Sequence, residues 1–136
     1  MTSTETQARA IATADAPQAI GPYSQAVATG NLVFVSGQLP IDPATGTFVT
    51  GGAADQARQV IANIAAILDV EDLQLKDVVK TTVLLADLSD FEVINSVYAE
   101  YFNGAVLPAR ATFQVAGLPK AASVEIEAIA ARPKAR

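Results

Sequence analysis

Between residues 26 and 36 the chain reads AVATGNLVFVS, two short apolar runs on either side of Gly30-Asn31. Both turn positions tolerate positive φ, as a two-residue hairpin requires, so the pattern predicts a β-hairpin opening the domain. On its second strand Leu32, Phe34 and Ser36 fall on one face and Val33 and Val35 on the other, and the strand is expected to stop at Gly37. PIDPATG at 40–46 is turn-rich, and Gly51-Gly52 ends a loop. From about 53 to 69 the period changes. Ala57, Val60, Ile61, Ile64, Ala65 and Leu68 recur at three- and four-residue steps, the buried stripe of an amphipathic helix. The β-branched run VVKTTVLL at 78–85 predicts a strand. Ser89-Asp90-Phe91-Glu92 has the form of a capping box and predicts the start of a second helix. Its apolar stripe holds Phe91, Ile94, Tyr98, Tyr101 and Phe102, with Asn95 beside it. Strands at 110–116 and 124–130 follow, joined by a loop holding Gly117, Pro119 and Lys120. The order ββαβαββ is that of an α/β sandwich, a mixed β-sheet with two helices packed on one face.

No internal repeat or low-complexity linker divides the 136 residues, so residues 1–136 are expected to form a single domain with one core. Residues 1–10 and 132–136 are expected to fray, the latter carrying Arg132, Lys134 and Arg136. No apolar run approaches the ~18 residues of a membrane span, and MTSTETQARAIA has no apolar core of a secretory signal. The expectation is a cytoplasmic protein without a membrane partner.

Composition narrows the chemistry. The chain has no His and no Cys, which excludes a Ser-His-Asp triad, a thiolate nucleophile and a zinc site of the usual nitrogen and sulfur ligands. Acid-base work falls to carboxylates, Tyr, Lys or held water, and neither metal nor cofactor is expected. Nine Lys and Arg against 14 Asp and Glu give a net charge of −5, which weighs against a nucleic-acid partner. Charged residues are 17 %, below the ~25 % usual in soluble domains. With 51 % apolar residues and 27 alanines, part of the apolar surface is expected to be covered by other copies of the chain.

Three polar residues stand where packing alone does not call for them. Arg110 opens ARATFQV, whose alternation sets Arg110, Thr112 and Gln114 on one face. It is either a strand-end arginine bonded to a nearby carboxylate or carbonyl, or a planar guanidinium gripping a substrate carboxylate with two parallel hydrogen bonds. Glu125 and Glu127 share a face of the last strand. Glu127 reads as solvated; Glu125 reads as solvated or as a general base in a cleft. Tyr23 follows the Gly21-Pro22 turn, either as a half-buried amphipathic ring or as a site residue.

Taken in order, AIGPYSQAV, VSGQLPID, VVKTTVLLADLSDFEVINSVYAEYF, LPARATFQVAGLP and VEIEAIA resemble the RidA (YjgF) family of enamine and imine deaminases, over residues 11 to 132. The resemblance implies a chorismate-mutase-like fold and a homotrimer with a ligand cleft between each pair of subunits. It also implies hydrolysis of 2-iminobutanoate, 2-iminopropanoate and related 2-imino or 2-enamino acids to 2-oxo acids and ammonia. It places the carboxylate-binding arginine on Arg110 and the water-activating glutamate on Glu125. The cleft tyrosine, serine and glycine fall on Tyr23, Ser36 and Gly37, and the helix asparagine on Asn95. The chain departs at Thr112, where many relatives have Cys, so that either the backbone there suffices or the substrate range differs. Other readings are a carboxylate-binding regulatory trimer without turnover, a hydrolase for another imine or amide, and an RNA-directed role that the charge disfavours.

One count bears on the number of chains in a site. Arg110 and Glu125 open successive strands running in opposite directions, and five residues of strand put them roughly 16 Å apart in one subunit. That is too far for one small imino acid, so a shared site is expected to draw Arg110 from one chain and Glu125 from the next.

Overall fold

The computed structural model describes residues 7–134. A strand that the sequence pattern did not announce, β1 (Arg9–Ile11), precedes the expected hairpin of β2 (Ala26–Thr29) and β3 (Leu32–Gln38). Three residues are too few to show a period, and β1 exists through its antiparallel pairing with β2. Arg9 and Ala10 are therefore held in the sheet rather than frayed; residues 1–6 lie outside the described residues. Thr29 pairs with Leu32 across the turn, where Gly30 takes φ 56°. β3 runs one residue beyond Gly37, because a register shift between Val35 and Gln38 bends the strand without ending it.

The turn-rich segment carries a small hairpin of its own, β4 (Ile41–Asp42) with β5 (Thr47–Phe48). Helix α1 (Ala53–Asp69) has the predicted bounds. Its buried stripe takes in Asn63 and Ile67 as well, while Ala65 is only half-buried. Asn63 is tolerated there because its amide donates to the carbonyls of Leu39 and Ile41 at 3.1 and 3.0 Å, tying the β4 segment to the helix. Strand β6 (Val78–Leu85) leads to helix α2 (Phe91–Tyr101). The expected capping box does not form. A short 3₁₀ turn at Leu88–Asp90 comes first, and its N-cap is Asp87, whose carboxylate accepts from Ser89 N–H at 2.8 Å. Strands β7 (Ala109–Gln114) and β8 (Val124–Ala131) complete the chain.

The six-stranded sheet has the order β1-β2-β3-β8-β6-β7 and is mixed: β6 and β7 are parallel, the other neighbours antiparallel. Both helices lie on one face, over a core that includes Val33, Val35, Val83, Leu85, Val124 and Ile126. The other face is open in the single chain. Leu32, Phe34 and Phe113 are 38, 41 and 56 % exposed there. At the rim, Glu71 accepts from Arg9 at 2.8 Å and from Arg132 at 3.0 Å. The Arg9 hydrogen bond, aided by both positive charges, holds its carboxyl below the usual range against the opposing effect of burial. Arg132 also donates its backbone N–H to Asn31 at 2.7 Å, so it too is fixed rather than frayed. Arg136 lies outside the described residues. Among the described residues no helix is long and apolar enough to cross a membrane.

Candidate active site

On the open face, β8 and the bulged end of β3 make one wall of a pocket of about 380 Å³ lined by Tyr23, Ser36, Gly37, Leu39, Pro119, Glu125 and Glu127. Gly37 leaves room for its neighbour: a Cβ at that position would come within 2.9 Å of the Glu125 carboxyl carbon, so that side chain would have to move aside. The Glu125 carboxylate thus lies directly over backbone, half-buried, with no side-chain hydrogen-bond partner among the described residues. Burial, and secondarily the charge of Glu127, raises its pKa above the ordinary carboxylate value. Ser36 donates its hydroxyl to the Ser24 carbonyl at 2.6 Å and its backbone N–H to Gln25 at 2.9 Å. That leaves the Ser36 oxygen as an acceptor. Tyr23 is 54 % exposed, and its hydroxyl accepts from Ile20 N–H at 3.3 Å. The loop that presents it is anchored by buried Gln25, whose amide group bonds Thr13, Ala16 and Pro17.

Arg110, on edge strand β7, belongs to the opposite face of the sheet. Its register partner is Thr81, which is buried beneath α2 and shares a 2.7 Å hydrogen bond with the Tyr98 hydroxyl. The guanidinium carbon lies 4.8 Å from the Tyr98 ring centroid and 5.7 Å from that of Phe91. One of its terminal N–H groups donates to Asn95 Oδ1 at 2.7 Å. Among the described residues no carboxylate lies within salt-bridge distance of it. The exposed cation is therefore aimed by one amide and two rings, with donors left over for a planar anion. Thr112, half-buried, follows it on the same face of β7, opposite Val83.

The sequence-derived residues thus fall into two groups. Tyr23, Ser36, Gly37 and Glu125 come together in one pocket, and Arg110 and Asn95 come together at the β7 edge with Thr112 beside them. The hairpin count gives five residues of offset between Arg110 and Glu125, but their partners on β6, Thr81 and Leu84, are three residues apart, roughly 10 Å at ~3.3 Å per residue. β7 and β8 are not neighbours, because β6 runs between them, with Thr81 opposite Arg110 and Leu84 opposite Glu125. From Lys80 onward, Thr81, Val83 and Leu85 of β6 face the helices and Lys80, Thr82 and Leu84 the open face, so the two side chains leave the sheet in opposite directions. Sequence reasoning missed three things here. Glu127 is exposed as expected, yet it also lines the pocket. Leu39 and Pro119 complete the wall from loops that carry no periodic signal. The Tyr98 and Phe91 rings were read only as core, although Tyr98 recurs one helical turn from Asn95.

Comparison with known proteins gives a consistent result. A bovine protein named 2-iminobutanoate/2-iminopropanoate deaminase is 54 % identical over 120 residues, 88 % of this chain and 87 % of that one. The solved structure of Escherichia coli TdcF with bound serine superposes with a TM-score of 0.87 at 46 % identity, covering 92 % of this chain and 99 % of that one. The E. coli YjgF gene product gives a TM-score of 0.87 at 46 % identity, again with 92 and 99 % covered. The model of the endoribonuclease L-PSP family matches residues 13–132, and the chain belongs to that family, the same RidA family its motifs resemble.

Proposed function

We propose that this protein is an imine deaminase that hydrolyses 2-imino acids such as 2-iminobutanoate and 2-iminopropanoate to 2-oxo acids and ammonia, without a metal or cofactor. The observation that carries this reading is Glu125: a half-buried, unpaired carboxylate with a raised pKa, lying in a pocket of a chain that has neither His nor Cys. The bovine relative's name supports the substrate class.

A protonated 2-imino acid is already an electrophile, so the protein need only orient it and manage one water. Arg110 holds the carboxylate through two parallel hydrogen bonds. Glu125 takes a proton from water as the water oxygen bonds to the C=N carbon and the π pair moves to nitrogen. It then hands that proton to the amine. The C–N bond breaks with its electrons going to nitrogen, while the carbinol hydroxyl gives its proton back to Glu125. A last transfer from Glu125 to the released ammonia makes ammonium and restores the carboxylate. The raised pKa suits both directions of transfer. Ser36 and Tyr23 orient the substrate and keep bulk water out, and Asn95 and Thr112 line the carboxylate end.

Because Arg110 and Glu125 leave opposite faces of one sheet, this reading needs two chains per site. A closed trimer with the chorismate-mutase-like arrangement supplies one site per subunit pair and covers the exposed Phe34 and Phe113. The family's name refers to RNA cleavage, but the −5 charge gives phosphates little to bind. The test is ammonia release from freshly generated 2-iminobutanoate or 2-iminopropanoate against a buffer control, repeated after EDTA and exhaustive dialysis. Acceleration that survives chelation is expected. No acceleration counts against deamination, and loss on chelation restored by one divalent ion would put a metal in the mechanism.

A further inference from the structure

We propose that Glu127 is a positioning residue for this deamination, the second carboxylate of the pocket, acting on the reaction through Glu125 rather than by touching substrate. The proposal rests on the reading of Glu125 as the base. Glu127 stands two residues along the same face of β8, and both side chains line the same pocket. With Ser36, Glu127 also forms the wall shared with an adjoining groove of about 280 Å³ on the open face. Into that groove β6 sends Lys80 and Thr82, Thr82 being the direct cross-strand partner of Glu127.

The groups facing Glu127 decide what it can do. Its own strand contributes Glu125, β6 contributes the cation of Lys80, and β3 contributes uncharged Ser36 and Phe34. Tyr23 faces it across the pocket. Among the described residues no cation lies within salt-bridge distance of either glutamate. The Glu127 charge, two residues along the same face of the strand and lining the same pocket, makes Glu125 the stronger base. The direction of the Glu125 shift agrees, with burial the larger cause and Glu127 the second. For a base that must take a proton from water, and later return one to the leaving amine, that added basicity favours the first transfer. No bond to substrate is made or broken by Glu127.

The sign of the test follows. Glu125 works as the carboxylate, so kcat/KM falls as pH drops through its pKa. Removing the charge at Glu127 lowers that pKa and moves the acidic limb to lower pH. In Glu127→Gln the ratio of kcat/KM on the limb to kcat/KM on the plateau should rise about threefold. In Glu127→Asp, which keeps the charge, the limb should stay at its wild-type position. A limb unmoved by Gln, or moved alike by Gln and Asp, overturns the proposal, since the second result marks a merely structural role. The parallel variant Glu125→Gln separates this from the reading beneath it: if that variant keeps wild-type activity, Glu125 is not the base and the proposed mechanism itself fails.

Discussion

The pocket around Glu125 and the β7 edge around Arg110 are built on opposite principles. The first is an open pocket, walled in part by loop residues Leu39 and Pro119, and holds a carboxylate with no hydrogen-bond partner among the described residues. The second is an exposed strand edge on which a cation is already aimed, by Asn95 at 2.7 Å and by two aromatic rings. On the proposed mechanism the first half supplies the base and the second the grip on the substrate carboxylate. A single sheet cannot fold them together, because β6 separates their strands and the alternation of the pleat turns them to opposite faces. The division of labour within one chain is thus itself an argument for assembly.

The comparison breaks outright if either half proves dispensable. Glu125→Gln keeps the shape of the pocket and removes the base, and should cost about 10²–10⁴ in kcat. Arg110→Ala should cost at least about 10² in kcat/KM, mostly through substrate capture, with Arg110→Lys recovering little because an ammonium lacks the two-pronged geometry. Both variants should keep the wild-type circular dichroism spectrum, since Arg110 is exposed and Glu125 fills no core position. Steady-state rates on 2-iminobutanoate check this, and a wild-type rate for either removes that half from the site.

Mixing the two defects sharpens the same contrast. Arg110→Ala and Glu125→Ala chains, each inactive alone, are unfolded together and refolded at equal amounts. If every site takes Arg110 from one subunit and Glu125 from its neighbour, two independent even chances leave about a quarter of the sites intact. Recovery of about a quarter of wild-type activity is expected, in mixed oligomers confirmed by mass. Recovery no greater than the sum of the parents would mean that the two halves never meet.

What could be read from the chain, and what could not, also divides along these two regions. The elements that carry Arg110, Asn95, Ser36 and Glu125, namely β7, α2, β3 and β8, were legible because each is long enough to show its period. The faces were legible too, since alternation fixes them. Neighbour order was not: nothing local in ARATFQV or VEIEAIA says that β6 enters between them, because strand order is set by how the helices pack over the sheet. Nor did periodicity reveal β1, whose three residues are held by pairing, or the part of the pocket wall that comes from loops. The capping box at Ser89 failed because Asp87, two residues earlier, captured the free N–H first.

Within the pocket, the closeness of base and backbone is tested at Gly37. Its backbone is not in the left-handed region, so alanine is conformationally acceptable and only the contact matters. The new methyl would stand where the Glu125 carboxyl now lies, and the flexible glutamate would swing aside rather than the strand. Gly37→Ala should therefore keep its thermal midpoint and lose about tenfold in kcat, as expected when a reacting group is shifted by a fraction of its reach. A large fall in the midpoint would instead show that the strand yields.

At the edge the corresponding support is Asn95, and its removal should cost least. Asn95 Oδ1 fixes one guanidinium N–H, while the Tyr98 and Phe91 rings continue to hold the plane of the cation from the side. Tyr98 is itself anchored by the 2.7 Å hydrogen bond to Thr81, so the stack does not depend on the amide. Asn95→Ala then loosens the direction of the guanidinium without removing it, and KM should rise about fivefold with kcat little changed, the size of one modest hydrogen bond. Asn95→Asp makes the sharper case. A carboxylate at that distance would pair with Arg110 and compete with the substrate's own, so KM should rise further than in the alanine variant. If aspartate were as good as asparagine, Arg110 would not be the group that holds the substrate carboxylate, and the edge would lose its half of the comparison.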